Sequence, residues 1–172
     1  MKTKILFFIL PLFSLIFLVS CLEKQEYPPV PALEFRTFTT FVHPAGYDSL
    51  GVLLLSYTDG DGDLGLSRWD TTSYNFYVAY YKMDNGSLVP GTRYNPVTGT
   101  FDTIYFNNRF YNLAPDGYSG WIKGEIEDTI RPLYDPRSTK TRDTVLYRIY
   151  MTDRAGNKSN IVETPLILVR NP

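Results

Sequence analysis

The chain has a single cysteine, Cys21, and a single histidine, His43, among its 172 residues. One cysteine excludes a disulfide within the chain, and one of each residue type excludes the cysteine and histidine sets that hold zinc. An excess of charge of one sign is also lacking, because the formal net charge is −1. A nucleic-acid-binding face needs concentrated lysine and arginine, so nucleic acid is not an expected partner.

Motifs of catalysis are lacking as well. His43 stands beside a proline in a sequence typical of a turn, and no serine has the surroundings of a nucleophile elbow. The glycines within residues 60–65 have the spacing of a phosphate-binding loop. The aspartates between those glycines would repel phosphate, so we expect a protein that is not an enzyme.

Helical periodicity is missing throughout the region after residue 32. Short apolar runs end in turn residues instead, which is typical of antiparallel strands. The Asp-Asn-Gly sequence at residues 84–86 predicts a tight hairpin turn, because Asn-Gly accepts positive φ angles. The sequence therefore predicts an all-β, immunoglobulin-like antiparallel β-sandwich of about seven to nine strands. The predicted strands cover residues 33–42, 49–57, 74–83, 100–106, 109–113, 120–130, 143–152 and 161–169.

The N-terminal residues have the pattern of a bacterial export signal. Two lysines precede an apolar run at residues 5–19, which is 15 residues long, whereas a membrane-spanning helix needs about 20. The next residues complete the sequence Leu18-Val19-Ser20-Cys21, which resembles the lipobox of bacterial lipoproteins. This resemblance implies cleavage between Ser20 and Cys21 and acylation of the Cys21 thiol, so that lipid anchors the chain. An uncleaved N-terminal membrane anchor is the alternative.

The residues after Cys21 bear on location. Leu22 replaces the aspartate that retains lipoproteins at the inner membrane in other diderm bacteria, which favours the outer membrane. Residues 23–26 loosely resemble the acidic export tract of Bacteroidetes lipoproteins, so we expect the cell-surface side over the periplasmic side. A proline-rich stretch at residues 27–31 then predicts a stiff spacer. The chain thus divides into a signal peptide (1–20), an acylated N-terminus with a proline-rich linker (21–32) and a sandwich domain (33–172).

Two further segments resemble those of small outer-membrane lipoproteins of Bacteroidetes. One is the sequence Asp-Gly-Asp-Gly-Asp-Leu-Gly at residues 59–65. The other is Asp-Arg-Ala-Gly-Asn-Lys-Ser-Asn at residues 153–160, which is also similar to the closing hairpin of many bacterial immunoglobulin-like domains. The resemblance implies an outer-membrane location and an immunoglobulin-like fold, and it implies no activity.

The first of these segments contains a candidate metal site. Asp59, Asp61 and Asp63 repel one another unless a cation lies between them, and Ca²⁺ binds about six to eight oxygens from a flexible loop. In an immunoglobulin-like sandwich both segments lie at the same end. Asp153 and Asn157 are therefore predicted to complete a calcium site, unless Arg154 neutralises Asp61 or Asp63 instead. The alternative is that all five side chains cap turns through nearby backbone amides.

Aromatic residues make up 16% of the chain, and 14 residues are tyrosine. Tyrosine and tryptophan are common anchors at binding surfaces, so Trp69, Tyr74 and Trp121 are candidate binding residues. We expect a lipid-anchored, non-catalytic binding or structural subunit of an outer-membrane protein assembly, whose partner is a β-barrel or another envelope protein. The alternative is a surface glycan-binding lipoprotein with a calcium-supported loop, in which Trp69 stacks on a sugar.

Overall fold

The computed structural model describes residues 26–111, 113–115 and 117–172. The predicted signal peptide and the predicted cleavage and acylation residues, Ser20 and Cys21, lie outside the described residues. All ten elements assigned in the described ranges are β-strands. In these ranges there is no helix long and apolar enough to cross a membrane. The strands are β1 (Ala32–Val42), β2 (Asp48–Asp59), β3 (Phe76–Asp84), β4 (Ser87–Pro90), β5 (Thr92–Asn95), β6 (Thr100–Thr103), β7 (Ile122–Ile130), β8 (Arg142–Met151), β9 (Val162–Glu163) and β10 (Ile167–Arg170).

The strands form two main sheets and one separate hairpin. The first sheet has the order β1-β2-β7, and the second has the order β10-β8-β3-β4, with β9 also paired to β8. The strands β5 and β6 form the hairpin. Each strand pair is antiparallel. The prediction of an all-β antiparallel fold is therefore confirmed.

The core lies between the two main sheets. Along β2, buried side chains alternate with half-buried ones, and Leu53, Leu55 and Tyr57 point inward. A single hydrophobic cluster contains side chains from both sheets. Phe38 of β1 stacks on Tyr147 of β8 across the interface, with ring centroids 5.6 Å apart. Because each buried leucine stabilises the fold by roughly 1.5–3 kcal/mol, the alternating pattern sets the register of β2.

The strand boundaries differ from the prediction where the chain contains proline or lacks alternation. Residues 161–169 form two short strands instead of one, because Pro165 has no N–H to donate to the ladder. Tyr111 makes an isolated bridge to Leu66, and the described residues of the predicted strand at 109–113 form no regular strand. The sequence prediction also omitted β4 and β5, so the structure has ten strands.

The predicted hairpin turn joins β3 to β4. Asn85 and Gly86 have φ angles of 47° and 80°. Two successive positive φ angles are the geometry of a two-residue hairpin loop with a type I′ turn.

The strand β2 extends from one end of the sandwich to the other. Asp48 is its first residue and Asp59 is its last. At the Asp59 end, β1 and β7 begin, and β8 ends beside the start of β3. The β2–β3 loop (60–75) and the β8–β9 hairpin (152–161) therefore meet at this end. We call it the acidic end, and we call the end that holds Asp48 the opposite end.

Candidate metal centre

Three carboxylates converge at the acidic end. Asp59 is the last residue of β2, Asp63 lies in the β2–β3 loop, and Asp153 lies in the β8–β9 hairpin. One oxygen from each of the three side chains lies within 4.8 Å of the others. Oxygens that share a calcium ion at about 2.4 Å are at most about 4.8 Å apart. The spacing therefore accommodates one ion.

Backbone amides hold two of these carboxylates in place. The Leu64 N–H donates to Asp59 Oδ2 at 3.0 Å, and the Ala155 N–H donates to Asp63 Oδ2 at 2.9 Å. The Arg154 N–H also donates to the Asp63 carbonyl oxygen at 3.3 Å. The last two bonds join the loop to the hairpin, so the two segments lie at the same end, as the sequence predicted.

The second oxygen of each of these carboxylates has a different environment. Asp59 is 0% exposed. Within the described ranges, Asp59 Oδ1 and Asp63 Oδ1 are buried and accept no hydrogen bond. A buried polar atom without a partner costs about 1–3 kcal/mol, and more when it carries charge. Both oxygens therefore have free capacity to bind a cation.

The electrostatics of the cluster also favour a cation. The pKa of Asp63 is raised to about 6, first by burial and then by the carboxylates of Asp153 and Asp61. Burial raises the pKa of Asp59, and the Leu64 amide offsets only part of this effect. Among the described residues, no positively charged side chain is a main cause of either shift. A bound cation would stabilise the ionised form of both side chains.

The other two predicted metal-site residues have different positions. Asp61 is exposed and acts on Asp59 and Asp63 through its charge. The Asn157 backbone N–H donates to Asp153 Oδ1 at 2.7 Å, and its side-chain amide donates to Asp153 Oδ2 at 2.8 Å. Asn157 thus orients Asp153. The turn-capping alternative accounts for this pair, but it leaves the free oxygens of Asp59 and Asp63 unexplained.

The loop keeps its shape through contacts that the sequence did not predict. The Arg154 guanidinium donates to the carbonyl oxygen of Gly65 at 3.0 Å and to that of Gly62 at 3.5 Å. Gly62 has a φ angle of 75°, and a Cβ there would overlap the carbonyl oxygen of Gly120. The alternation of glycine with aspartate is therefore needed for packing as well as for charge.

The three candidate aromatic residues differ in how much of each ring is free to contact a ligand. Trp69, in the β2–β3 loop, is 91% exposed. The Arg109 guanidinium lies 4.4 Å from the ring centre of Tyr74, so it covers one face of that ring. Trp121 packs edge-on against Tyr27, with ring centroids 5.4 Å apart. Trp69 is thus the most available of the three rings.

A cavity at the opposite end was not predicted from the sequence. It has a volume of about 350 Å³, and its lining includes Tyr80, Ile104, Tyr134 and Arg137. The Tyr80 hydroxyl is buried and, in the part of the chain that the structure describes, has no hydrogen-bond partner. Because the lining comes from segments far apart in the sequence, no local pattern marks it.

Comparisons with protein-family models, with curated proteins and with solved structures found no match.

Proposed function

We propose that this chain is a lipid-anchored outer-membrane protein, acylated at Cys21 after cleavage behind Ser20. In this proposal it faces the cell surface and acts as a non-catalytic binding or structural subunit of an outer-membrane protein assembly. One observation carries the proposal. The segment that follows the predicted lipobox joins the sandwich at the acidic end, whereas a hairpin with exposed apolar side chains leaves the second sheet beside Tyr80, away from that segment.

The base of the linker is fixed on the sandwich. The ring of Tyr27 packs against Trp121, and the backbone of Tyr27 and Pro28 approaches Gly60 so closely that a Cβ there would overlap it. An extended chain spans at most about 3.5 Å per residue, so residues 21–26 reach about 20 Å. A lipid on Cys21 would therefore hold the acidic end near the bilayer and direct the opposite end away from it.

The β5–β6 hairpin supplies the surface for a partner. Val97 is 92% exposed and Phe101 is 67% exposed, and the Phe101 ring contacts that of Tyr94 at 5.4 Å between centroids. Arg137 fixes the base of the hairpin by donating to the Thr92 carbonyl oxygen at 2.7 Å. The apolar cavity lies beside this base. Aromatic side chains on a fixed hairpin beside an apolar cavity are typical anchors for a protein partner, here a β-barrel or another envelope protein.

We also propose that the sandwich is of immunoglobulin-like type. In such domains strands A, B and E share one sheet, and strands C, F and G share the other. The order β1-β2-β7 corresponds to A-B-E, and the order β10-β8-β3 corresponds to G-F-C. The strand β4 then has the place of C′.

Photocrosslinking in intact cells tests the docking proposal. A photoreactive residue in place of Val97 is expected to give an adduct with an outer-membrane protein. The matched control carries the same residue in place of Glu127, which is exposed on β7. Adducts of equal yield from both positions, or none from Val97, would contradict docking through the hairpin.

Mass spectrometry of the native protein tests the anchor separately. We expect the mature chain to begin at an acylated Cys21, and protease added to intact cells to degrade it. An intact leader or an unmodified thiol would contradict acylation. Protection from protease in intact cells, with digestion after lysis, would contradict the cell-surface side.

Glycan binding is a second candidate function, which the exposure of Trp69 favours. A free indole face in the loop that begins at the acidic cluster is suited to stack on a sugar ring. On a glycan array, Trp69→Ala would abolish binding, whereas the control Tyr94→Ala, in the β5–β6 hairpin, would preserve it. An array without signal for the unaltered protein would exclude this candidate.

A further inference from the structure

We propose that Asp59, Asp63 and Asp153 bind one Ca²⁺ ion, which joins the β2–β3 loop to the β8–β9 hairpin. The site goes beyond docking and is independent of the lipid anchor. Failure of the crosslinking experiment would therefore leave it intact, and its own failure would leave docking intact.

The burial of Asp59 distinguishes this cluster from an ordinary acidic loop. Carboxylates in acidic surface loops are usually hydrated, but Asp59 is wholly enclosed, and in the described part of the chain its Oδ1 accepts no hydrogen bond. Its neighbours in the converging set are Asp63, which also has a free buried oxygen, and Asp153. An enclosed acceptor among carboxylates, without a donor, has the surroundings of a cation ligand.

The donor atoms determine which cation fits. The converging donors are all carboxylate oxygens, which bind hard cations such as Ca²⁺ and Mg²⁺ in preference to softer transition metals. Mg²⁺ demands near-octahedral geometry, keeps several waters and usually takes one or two carboxylates. Three carboxylates, from the end of β2, the β2–β3 loop and the β8–β9 hairpin, better suit the larger and less regular shell of Ca²⁺.

The position of the site gives the ion a structural role. β2 belongs to the first sheet and β8 to the second, so an ion between Asp59 and Asp153 links the two sheets at the acidic end. Ligand that binds only the folded chain stabilises it by mass action. The same ion would also hold the start of the loop that carries Arg68 and Trp69.

Calcium titration of the full-length protein in detergent, after treatment with EDTA, tests binding. Calorimetry is expected to give a Kd of about 10⁻⁴–10⁻³ M, the range of extracellular calcium modules. In 10 mM CaCl₂ the melting temperature is expected to rise by about 4–10 °C, and by less in 10 mM MgCl₂. No heat together with an unchanged melting temperature would overturn the proposal, and an equal response to Mg²⁺ would overturn the choice of Ca²⁺.

Two matched variants in one loop test the ligand set. Asp63→Asn keeps an oxygen for the Ala155 amide and should weaken Ca²⁺ binding by about tenfold or more, whereas Asp61→Asn removes the same charge outside the converging set and should weaken it by less than about threefold. A melting temperature in EDTA at or above that of the unaltered protein would show that Asp63→Asn folds. Equal losses in both variants, or unaltered affinity in Asp63→Asn, would overturn the assignment.

Limited trypsin digestion tests the joining of the two segments. Arg68 is exposed in the β2–β3 loop, and Lys140 is exposed at the opposite end of the sandwich. Ca²⁺ should slow cleavage after Arg68 by at least about threefold and leave cleavage after Lys140 unchanged. Asp63→Asn should abolish this protection. Binding heat without protection at Arg68 would overturn the role of the ion in joining the loop to the hairpin.

Discussion

β2 has a buried aspartate at each end, and of these two only Asp48 has a basic side chain as a partner among the described residues. Asp48 accepts hydrogen bonds from the backbone N–H, the Nε and the guanidinium Nη2 of Arg170, at 2.7, 3.2 and 2.7 Å. These bonds lower the pKa of Asp48, whereas burial raises that of Asp59. Asp48 is therefore ionised beside the positive charge of Arg170. Asp59, at the other end of the same strand, has no such counter-charge among the described residues.

A second buried aspartate at the opposite end, Asp135, also has basic side chains as partners. Burial would raise the pKa of Asp135, but Arg137 donates to it at 3.0 Å and Lys82 approaches it at 3.5 Å, so its pKa is lowered. The opposite end thus supplies its own cations. At the acidic end the Arg154 guanidinium binds the carbonyl oxygens of Gly62 and Gly65, while Oδ1 of Asp59 and Oδ1 of Asp63 have no partner among the described residues. A cation from solution would complete these two carboxylates.

The largest expected effect on stability comes from removing Asp48, the aspartate at the opposite end. Asp48→Ala removes the acceptor for three hydrogen bonds and leaves the Arg170 backbone N–H without a partner, which should lower the free energy of unfolding by about 3 kcal/mol. Urea unfolding with and without Ca²⁺ measures the loss, which should be the same in both. Asp48→Asn, which keeps one acceptor, should lose less. If Ca²⁺ reversed this loss of stability, the claim that Ca²⁺ acts at the acidic end and not at the opposite end would be wrong.

A substitution at the acidic end should change the free energy of unfolding in the opposite direction. Without Ca²⁺, Asp59→Asn should raise the free energy of unfolding by about 1 kcal/mol, because it removes a buried like charge and keeps an oxygen for the Leu64 amide. In saturating Ca²⁺ the unaltered protein should be the more stable of the two. Urea unfolding in EDTA and in CaCl₂ checks both signs. Destabilisation in EDTA would show that the free oxygen of Asp59 has a partner.

The difference between the two ends was only partly predictable from sequence. The spacing of Asp59, Asp61 and Asp63 predicted a cluster, and the order of strands predicted that Asp153 would join it. The prediction treated the three loop aspartates alike. β2 ends at Asp59, and the turn at Gly62 reorients the chain, so Asp63 approaches Asp153 while Asp61 stays exposed.

The partners at the opposite end were not predictable, because they come from far along the chain. Asp48 and Arg170 are separated by 122 positions, and no local pattern links them. The strands themselves were predictable, because alternation of buried and exposed residues is a local signal. β4 and β5 were missed, since each has only four residues and little alternation.

Asp128 is a third case of a buried aspartate, and it lies in the middle of the fold. It points inward from β7 and accepts a hydrogen bond from Asn108, while its Oδ2 has no partner among the described residues. Burial raises its pKa above the ordinary 3.8. The folded state therefore keeps this proton to higher pH than the unfolded chain does. The stability that Asp128 contributes is fully present below pH 3.8 and falls as pH rises through the folded-state pKa.

Asp128→Asn removes this titration and should reveal it by difference. Thermal melts from pH 3.5 to pH 7 are expected to show the variant gaining on the unaltered protein as the pH rises. The measurement is made in EDTA, so that occupancy of the acidic end does not change with pH. A difference that stays constant across the range would show that Asp128 titrates alike in the folded and unfolded chains.

The smallest expected effect is at Trp69, which separates charge from aromatic exposure at the acidic end. Because the indole is 91% exposed, Trp69→Ala removes little buried area and should change the free energy of unfolding by less than about 0.5 kcal/mol. The calcium-induced rise in melting temperature should also persist, since Trp69 is not among the converging carboxylates Asp59, Asp63 and Asp153. Loss of that rise would show that the ring packs over the site when the ion binds, and the loop and the ion would then form one unit.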